Sequence, residues 1–161
     1  MMRMWITAFL ILFLLAGSVL IGRAEAREQE NWKEYMEALC EERHICPELV
    51  EAIIERESSW DPGAVNGDCV GLMQISRFSQ RSRMQKLGVT DLKDPYENIL
   101  VGVDLLEELY QQYEDNAAVL MYYNAGYSDR YGLGAYLWDE MSDYAQEVLA
   151  RAAELERVHG K

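Results

Sequence analysis

Glu57 is the residue of this chain best placed for proton chemistry. It lies near the end of a predicted helix that Pro47 opens, with Glu48 in the first turn, where the helix dipole favours a negative charge. At about 100° per residue, Val50, Ile53, Ile54 and Glu57 share one face. Glu48, Glu51 and Glu55 share another and read as a solvated acidic stripe. A carboxyl group on an apolar face is costly, and its charged form is disfavoured, so its pKa rises. Such a group can serve as a general acid. On the helix alone, Glu57 can equally turn outward to water at the helix end.

Two further stretches carry groups suited to recognition. In Gly71-Leu72-Met73-Gln74-Ile75 the glycine permits close backbone approach. Met73 is soft and apolar, and the Gln74 amide both donates and accepts. Tyr122-Tyr123-Asn124-Ala125-Gly126 adds phenols and a second amide. Metal chemistry is set aside. His44 and His159 are the sole histidines, and no CxxC is present. Asp61, Gly67 and Asp68 lack the alternating acids and closing Glu of a calcium loop. Cys40, Cys46 and Cys69 allow three pairings, with a slight preference for Cys40 with Cys69.

The elements that must position these residues read as helices. Asn31 and Glu34 resemble a capping box ahead of Trp32, Tyr35, Met36 and Leu39 at helical spacing. The Pro47 helix runs to about Trp60, followed by turn chemistry at residues 61–63 and 66–68. A helix from about Arg77 to Leu87 closes at Gly88. Asp94 and Glu97 form a second capping box opening a helix in which Asn98 and Gly102 lie one turn apart. Gly102 would let a neighbouring helix approach. Asp115 or Asn116 caps a short apolar helix, Ala117 to Tyr123. Residues 127–139 are mixed, and a last helix runs from Ser142 to about Val158. No strand pattern of any length is visible, so the expected fold is all-α with about six helices.

Composition bounds the rest. Half of the 161 residues are hydrophobic, enough for a real core, and the net charge of −13 argues against nucleic acid as a partner. Arg77, Arg81, Arg83 and Lys86 form the one basic patch, read as a solvated helix face or as a contact for anionic parts of a polymer. Arg3 precedes an uncharged, mostly apolar run from Met4 to Gly22, and Ala24-Glu25-Ala26 offers a cleavage site. Residues 1–26 therefore read as a secretory signal or a retained membrane anchor, residues 27–31 as a short linker and 32–161 as one domain. Either reading delivers the domain outside the cytoplasm.

Taken in order, Glu57-Ser58-Ser59-Trp60, Gly71–Ile75 and Tyr122–Gly126 resemble the catalytic domain of the soluble lytic transglycosylases, the goose-type-lysozyme branch of the lysozyme superfamily. Asn98-Ile99 with Gly102 is similar to that family's middle motif, and Tyr144 to its last. The resemblance implies a lysozyme-like helical domain that cleaves the MurNAc-β-1,4-GlcNAc bond of peptidoglycan and leaves 1,6-anhydro ends. It implies Glu57 as the single acid and then base, with no metal or cofactor. By the same resemblance Ser58 holds the turn after the acid, Met73 and Gln74 line the groove, and Tyr123 hydrogen-bonds near the catalytic carboxyl. Asn124 and Ala125 shape the groove beside it, and Tyr144 is a further wall. The partners implied are glycan strands and envelope or secretion machinery, with membrane contact through residues 4–22 if these are retained. Asn66, counted among the substrate-binding residues, stands where relatives often place a Ser nine residues after the acid, Tyr122 where a small residue is common, and Cys46 where an Asp or Ser cap is usual. The rival readings are a hydrolytic lysozyme using Asp61 or Asp68 as second carboxylate, and a non-catalytic glycan-binding component.

Overall fold

A computed structural model describes residues 25–125 and 141–161, the side chain of Ala125 excepted. The apolar run of residues 4–22 and the mixed stretch 127–139 lie outside the described residues. The chain divides into two compact units, Met1–Glu34 and Tyr35–Lys161. Described residues of the first unit, 25–34, are helical, so Asn31 sits within a helix instead of capping one. The run of Ala, Glu, Arg and Gln before it favours helix strongly enough to extend it. Among the described residues no helix is long and apolar enough to cross a membrane.

In the larger unit, helical residues 35–43 (α1) end at His44 in the left-handed region, φ 56°. Then come α2 (Pro47–Ser58), three strands β1 (Val65–Asn66), β2 (Cys69–Val70) and β3 (Ile75–Ser76), and helices α3 (Arg81–Leu87), α4 (Pro95–Gln112), α5 (Asn116–Ala125) and α6 (Asp143–His159). Six helices are thus present among the described residues. The strands form an antiparallel sheet in the order β1-β2-β3, pairing Val65 with Val70 and Cys69 with Ser76. Their existence corrects the strand-free expectation. Each strand has two residues, too few for any alternation to show.

Helix ends follow local chemistry. Asp94 caps α4 by accepting from the Glu97 amide, 3.0 Å. Asp115 accepts from the Ala118 amide at the head of α5, and Ser142 from Ala145 at the head of α6. Gly88 closes α3 with a left-handed backbone. That helix begins at Arg81, four residues later than Arg77, because Asp68 and Ser76 hold residues 76–80 in a turn.

The core packs α2 against α6, with α4 and α5 beside them. Ile53, Ile54, Leu72, Met73, Ile99, Leu106 and Leu120 are fully buried. The acidic stripe of α2 is not solvated. Glu48 and Glu51 are buried, Glu48 takes Lys161 and His159, and Glu55 takes Arg151 at 2.6 Å. Arg151 and His159 of α6, with Lys161 just beyond it, thus meet Glu55 and Glu48, which spacing within α2 cannot reveal. The basic patch is likewise dispersed. Arg83 is held by Asp104 and Glu108, and Arg77 lies 3.8 Å from Asp68.

Candidate active site

Glu57 occupies the last turn of α2, half-buried at the edge of a cleft of about 350 Å³. The helix stops one residue later because Ser59 and Trp60 take left-handed backbones, φ 53° and 66°. This ends α2 short of Trp60 and turns the chain away behind the carboxyl. Non-glycine residues in that region each cost about 1–3 kcal/mol and persist where the surroundings enforce them. The enforcement here comes partly from Ser58, whose hydroxyl donates to the Leu72 carbonyl at 2.8 Å, and from the Ser59 amide, which donates to the Glu55 carbonyl at 3.1 Å. Ser58 thus ties the end of α2 to the loop opposite.

The wall facing Glu57 is the turn between β2 and β3. Gly71 has φ 79°, and a Cβ there would collide with the Leu92 carbonyl and the Asn98 amide. Gln74 is also left-handed, φ 46°, and its side-chain amide donates to the Gly71 carbonyl at 3.0 Å and the Ala64 carbonyl at 3.2 Å. Asn98 fixes this turn from α4. Its amide nitrogen donates to Val70 and Leu92, and its oxygen accepts from the Met73 amide, all at 2.8 Å. All three bonds are buried, where an unpaired partner costs about 1–3 kcal/mol. Met73 itself is buried and points away from the cleft, its sulfur over Gly102. What Gly102 admits is therefore the Met73 side chain, not a helix.

Two tyrosines complete the site, with roles reversed from those the resemblance implied. Tyr144, at the head of α6 and nearly buried, donates its hydroxyl to Glu57 Oε1 at 2.8 Å. Tyr123, from α5, donates to the Met73 carbonyl at 2.7 Å and lines the cleft without bonding the acid. Burial raises the Glu57 pKa above the ordinary carboxylate range, while the Tyr144 hydrogen bond and the nearby Arg56 guanidinium pull it back. Burial and the Glu57 charge raise both phenols, so each stays a neutral donor. Arg56 also lies 5.9 Å over the Tyr144 ring.

Asn66, Gln74, Tyr123 and Asn124 line the cleft with Glu57, whereas Ser58 and Met73 brace it from behind. Ala125 ends α5. Asn98 belongs to the resembled middle motif but not to the site residues expected from it; an amide beside Ile99 on a core-facing helix turn is the signal the sequence carries. Cys69, Ser76, Ser79, Gln80 and Leu105 also line the cleft, and nothing in their spacing marks them. Cys69 is a free thiol, as are Cys40 and Cys46, so the expected Cys40–Cys69 bridge is absent. Burial and the neighbouring Cys46 push the Cys40 thiol up to about 12.

The possible ligand cluster of Cys46, Glu48 and Glu156 lies apart from the cleft, where Lys161 already supplies a cation to Glu48 at 2.7 Å. Asp61 and Asp68 are occupied in turns. Asp61 accepts from the Gly63 amide, and Asp68 from Ser76 and Phe78. Among the described residues, Glu57 is the one acid lining the cleft.

Residues 34–131 match the family described as the transglycosylase SLT domain. The chain is 34% identical over 97 residues to a transglycosylase of Enterobacteria phage PRD1, covering 60% of this chain and 35% of that protein. It is 35% identical over 95 residues to the invasion protein IagB of Salmonella typhimurium, covering 54% and 59%. In structure it resembles an inactive mutant of the lytic transglycosylase Slt from Pseudomonas aeruginosa, with TM-score 0.64 and 20% identity over 79% of this chain and 24% of that one. The chain spans less than two thirds of the length of each of these proteins. The mostly helical, lysozyme-like fold is common to both structures. With its family match running from the helix before α2 past the end of α5, the chain belongs to the transglycosylase SLT domain family.

Proposed function

We propose that the chain is a peptidoglycan lytic transglycosylase, cleaving the β-1,4 bond between N-acetylmuramic acid and N-acetylglucosamine and leaving a 1,6-anhydro end. The observation that carries this reading is Glu57: half-buried, raised in pKa, hydrogen-bonded by Tyr144 and open to the cleft. Protonated at the start, it donates to the glycosidic oxygen as the C1–O bond breaks. Tyr144 then stabilises the carboxylate so formed, aided by the charge of Arg56. The substrate N-acetyl group supports the positive charge at C1. The muramoyl C6 hydroxyl closes on C1 and returns its proton to Glu57, so no water is consumed. Two opposed influences on one carboxyl, burial and a phenol donor, suit an acid that must also become a base. Gln74, Tyr123, Asn66 and Asn124 supply polar contacts along the glycan in this account.

A hydrolytic lysozyme would need a second carboxylate to direct water, and the bonds engaging Asp61 and Asp68 speak against either in that role. We place the domain outside the cytoplasm, with glycan strands as substrate and residues 1–26 as signal or anchor. Envelope or secretion machinery is the further partner we propose, prompted by a relative named as an invasion protein and another from a phage. The test is digestion of purified peptidoglycan with mass spectrometry. Products one water lighter than hydrolysed muropeptides are expected, and Glu57→Gln lowers their release by roughly 10²–10⁴-fold, the usual worth of a general acid. Hydrolysed ends, or full activity in that variant, refute the proposal.

A further inference from the structure

Phe78 is the most exposed large hydrophobic side chain among the described residues, at 85%. It stands in the turn between β3 and α3, and its neighbours Ser76, Ser79 and Gln80 line the cleft. The backbone beneath it is firmly held. The Phe78 amide donates to Asp68 Oδ2 at 2.7 Å, and the same oxygen accepts from the Ser76 hydroxyl at 2.6 Å. The Ser79 amide donates to Ser76 Oγ at 3.0 Å, and the Arg77 amide to the Asp68 carbonyl at 3.1 Å. A large apolar ring is thus kept in water, at the rim of a polar cleft, on a main chain with little freedom. Leaving a Phe side chain this exposed forgoes most of the free energy of its burial.

We propose that Phe78 is a stacking platform for one pyranose ring of the amino-sugar strand as it leaves the cleft. The C–H face of a pyranose is apolar while its edge carries hydroxyl and amide groups. An aromatic face next to Ser76, Ser79 and Gln80 offers both kinds of contact side by side. The inference rests on the reading of the cleft as a glycan site and adds the residue that sets how the strand continues beyond it.

The test uses the full chain carrying Glu57→Gln, so that glycan is bound and not cut, and measures Kd for purified sacculi stripped of peptide stems. Adding Phe78→Ala should raise Kd about three- to tenfold, the worth of one aromatic stacking contact. Adding Phe78→Trp should leave it unchanged or lower. Equal Kd with and without Phe78→Ala overturns the platform, as does a dependence that appears only when peptide stems are kept. Anhydro products from the unmutated chain alongside equal Kd overturn the platform alone. Absence of any binding, with no such products, overturns the glycan reading as well.

Discussion

Glu57 and Tyr144 set each other's protonation. The phenol donates at 2.8 Å to a carboxyl that burial drives toward its neutral form. Removing the hydroxyl removes an influence that favours the carboxylate, so the folded pKa of Glu57 rises further. The proposed reaction starts from the protonated acid, so activity falls as pH passes upward through that pKa. Tyr144→Phe should therefore shift the alkaline limb of the pH–rate profile to higher pH. It should also lower the optimum rate roughly tenfold, about 1.5 kcal/mol for a hydrogen bond to a charged group. A limb that stays in place in Tyr144→Phe would mean that Tyr144 does not touch the titrating group. The candidate acid could be picked out from sequence by its motif together with an apolar helix face over two turns, neither of which fixes it alone. Its partner could not: Tyr123 and Tyr144 are both plausible phenols, and which one reaches Glu57 depends on how α5 and α6 dock. The distinction is made by packing between helices, not by spacing along either.

At the scale of elements, α2 and α4 hold the site from opposite sides and the β2–β3 turn lies between them. Asn98 bolts that turn to α4 at Val70 and Met73 and ties in the Leu92 carbonyl of the loop before α4, and Gly102 one turn later leaves room for Met73. The Met73 carbonyl then receives Tyr123. A Cβ at Gly102 would lie 2.7 Å from Met73 Cε and closer still to its sulfur, so the buried end of Met73 must swing aside or push on the turn that carries it. Gly102→Ala should cost about 1–3 kcal/mol of stability, as overpacked cores do, and lower activity beyond that by displacing the Tyr123 contact. Denaturant midpoints and muropeptide release measure the two effects separately. A variant with unchanged activity would show that the turn does not depend on Met73 for its position. Helix existence was legible from α1 to α6, though not in the helical residues 25–31 ahead of them, since periodicity and caps at Asp94, Asp115 and Ser142 are local signals. The small sheet was not, because two-residue strands are defined by their partners. Nor was the fate of the acidic stripe, since Glu55 finds Arg151 and Glu48 finds His159 on α6, about a hundred residues away.

Across the larger unit, this separation of acids and bases has a consequence for stability. A chain with net charge −13 repels itself, and α6 offsets part of that by bringing cations to α2 along its length. Arg151 meets Glu55 near one end of α2, and His159 and Lys161 meet Glu48 at the other. The same two helices meet again at Glu57 and Tyr144. Burial alone would raise the Glu48 pKa, but the hydrogen bonds from Lys161 and His159 outweigh it and hold the carboxyl at about 2. A folded pKa below the unfolded one contributes stability that is fully present above the unfolded carboxylate pKa. That stability is lost as pH falls through the folded value. Glu48→Gln keeps the shape of the side chain and discards the charge. It should lower unfolding free energy near neutral pH by roughly 1–3 kcal/mol, the cost of a lost charge-assisted hydrogen bond. The gap between the variant and the unmutated chain should narrow as pH falls below the ordinary Glu range and close only below about pH 2, once the Glu48 carboxyl is itself protonated. Urea titrations at several pH values read this directly. A deficit that stays constant with pH would assign the loss to packing and not to the ion pairs that join α6 to α2.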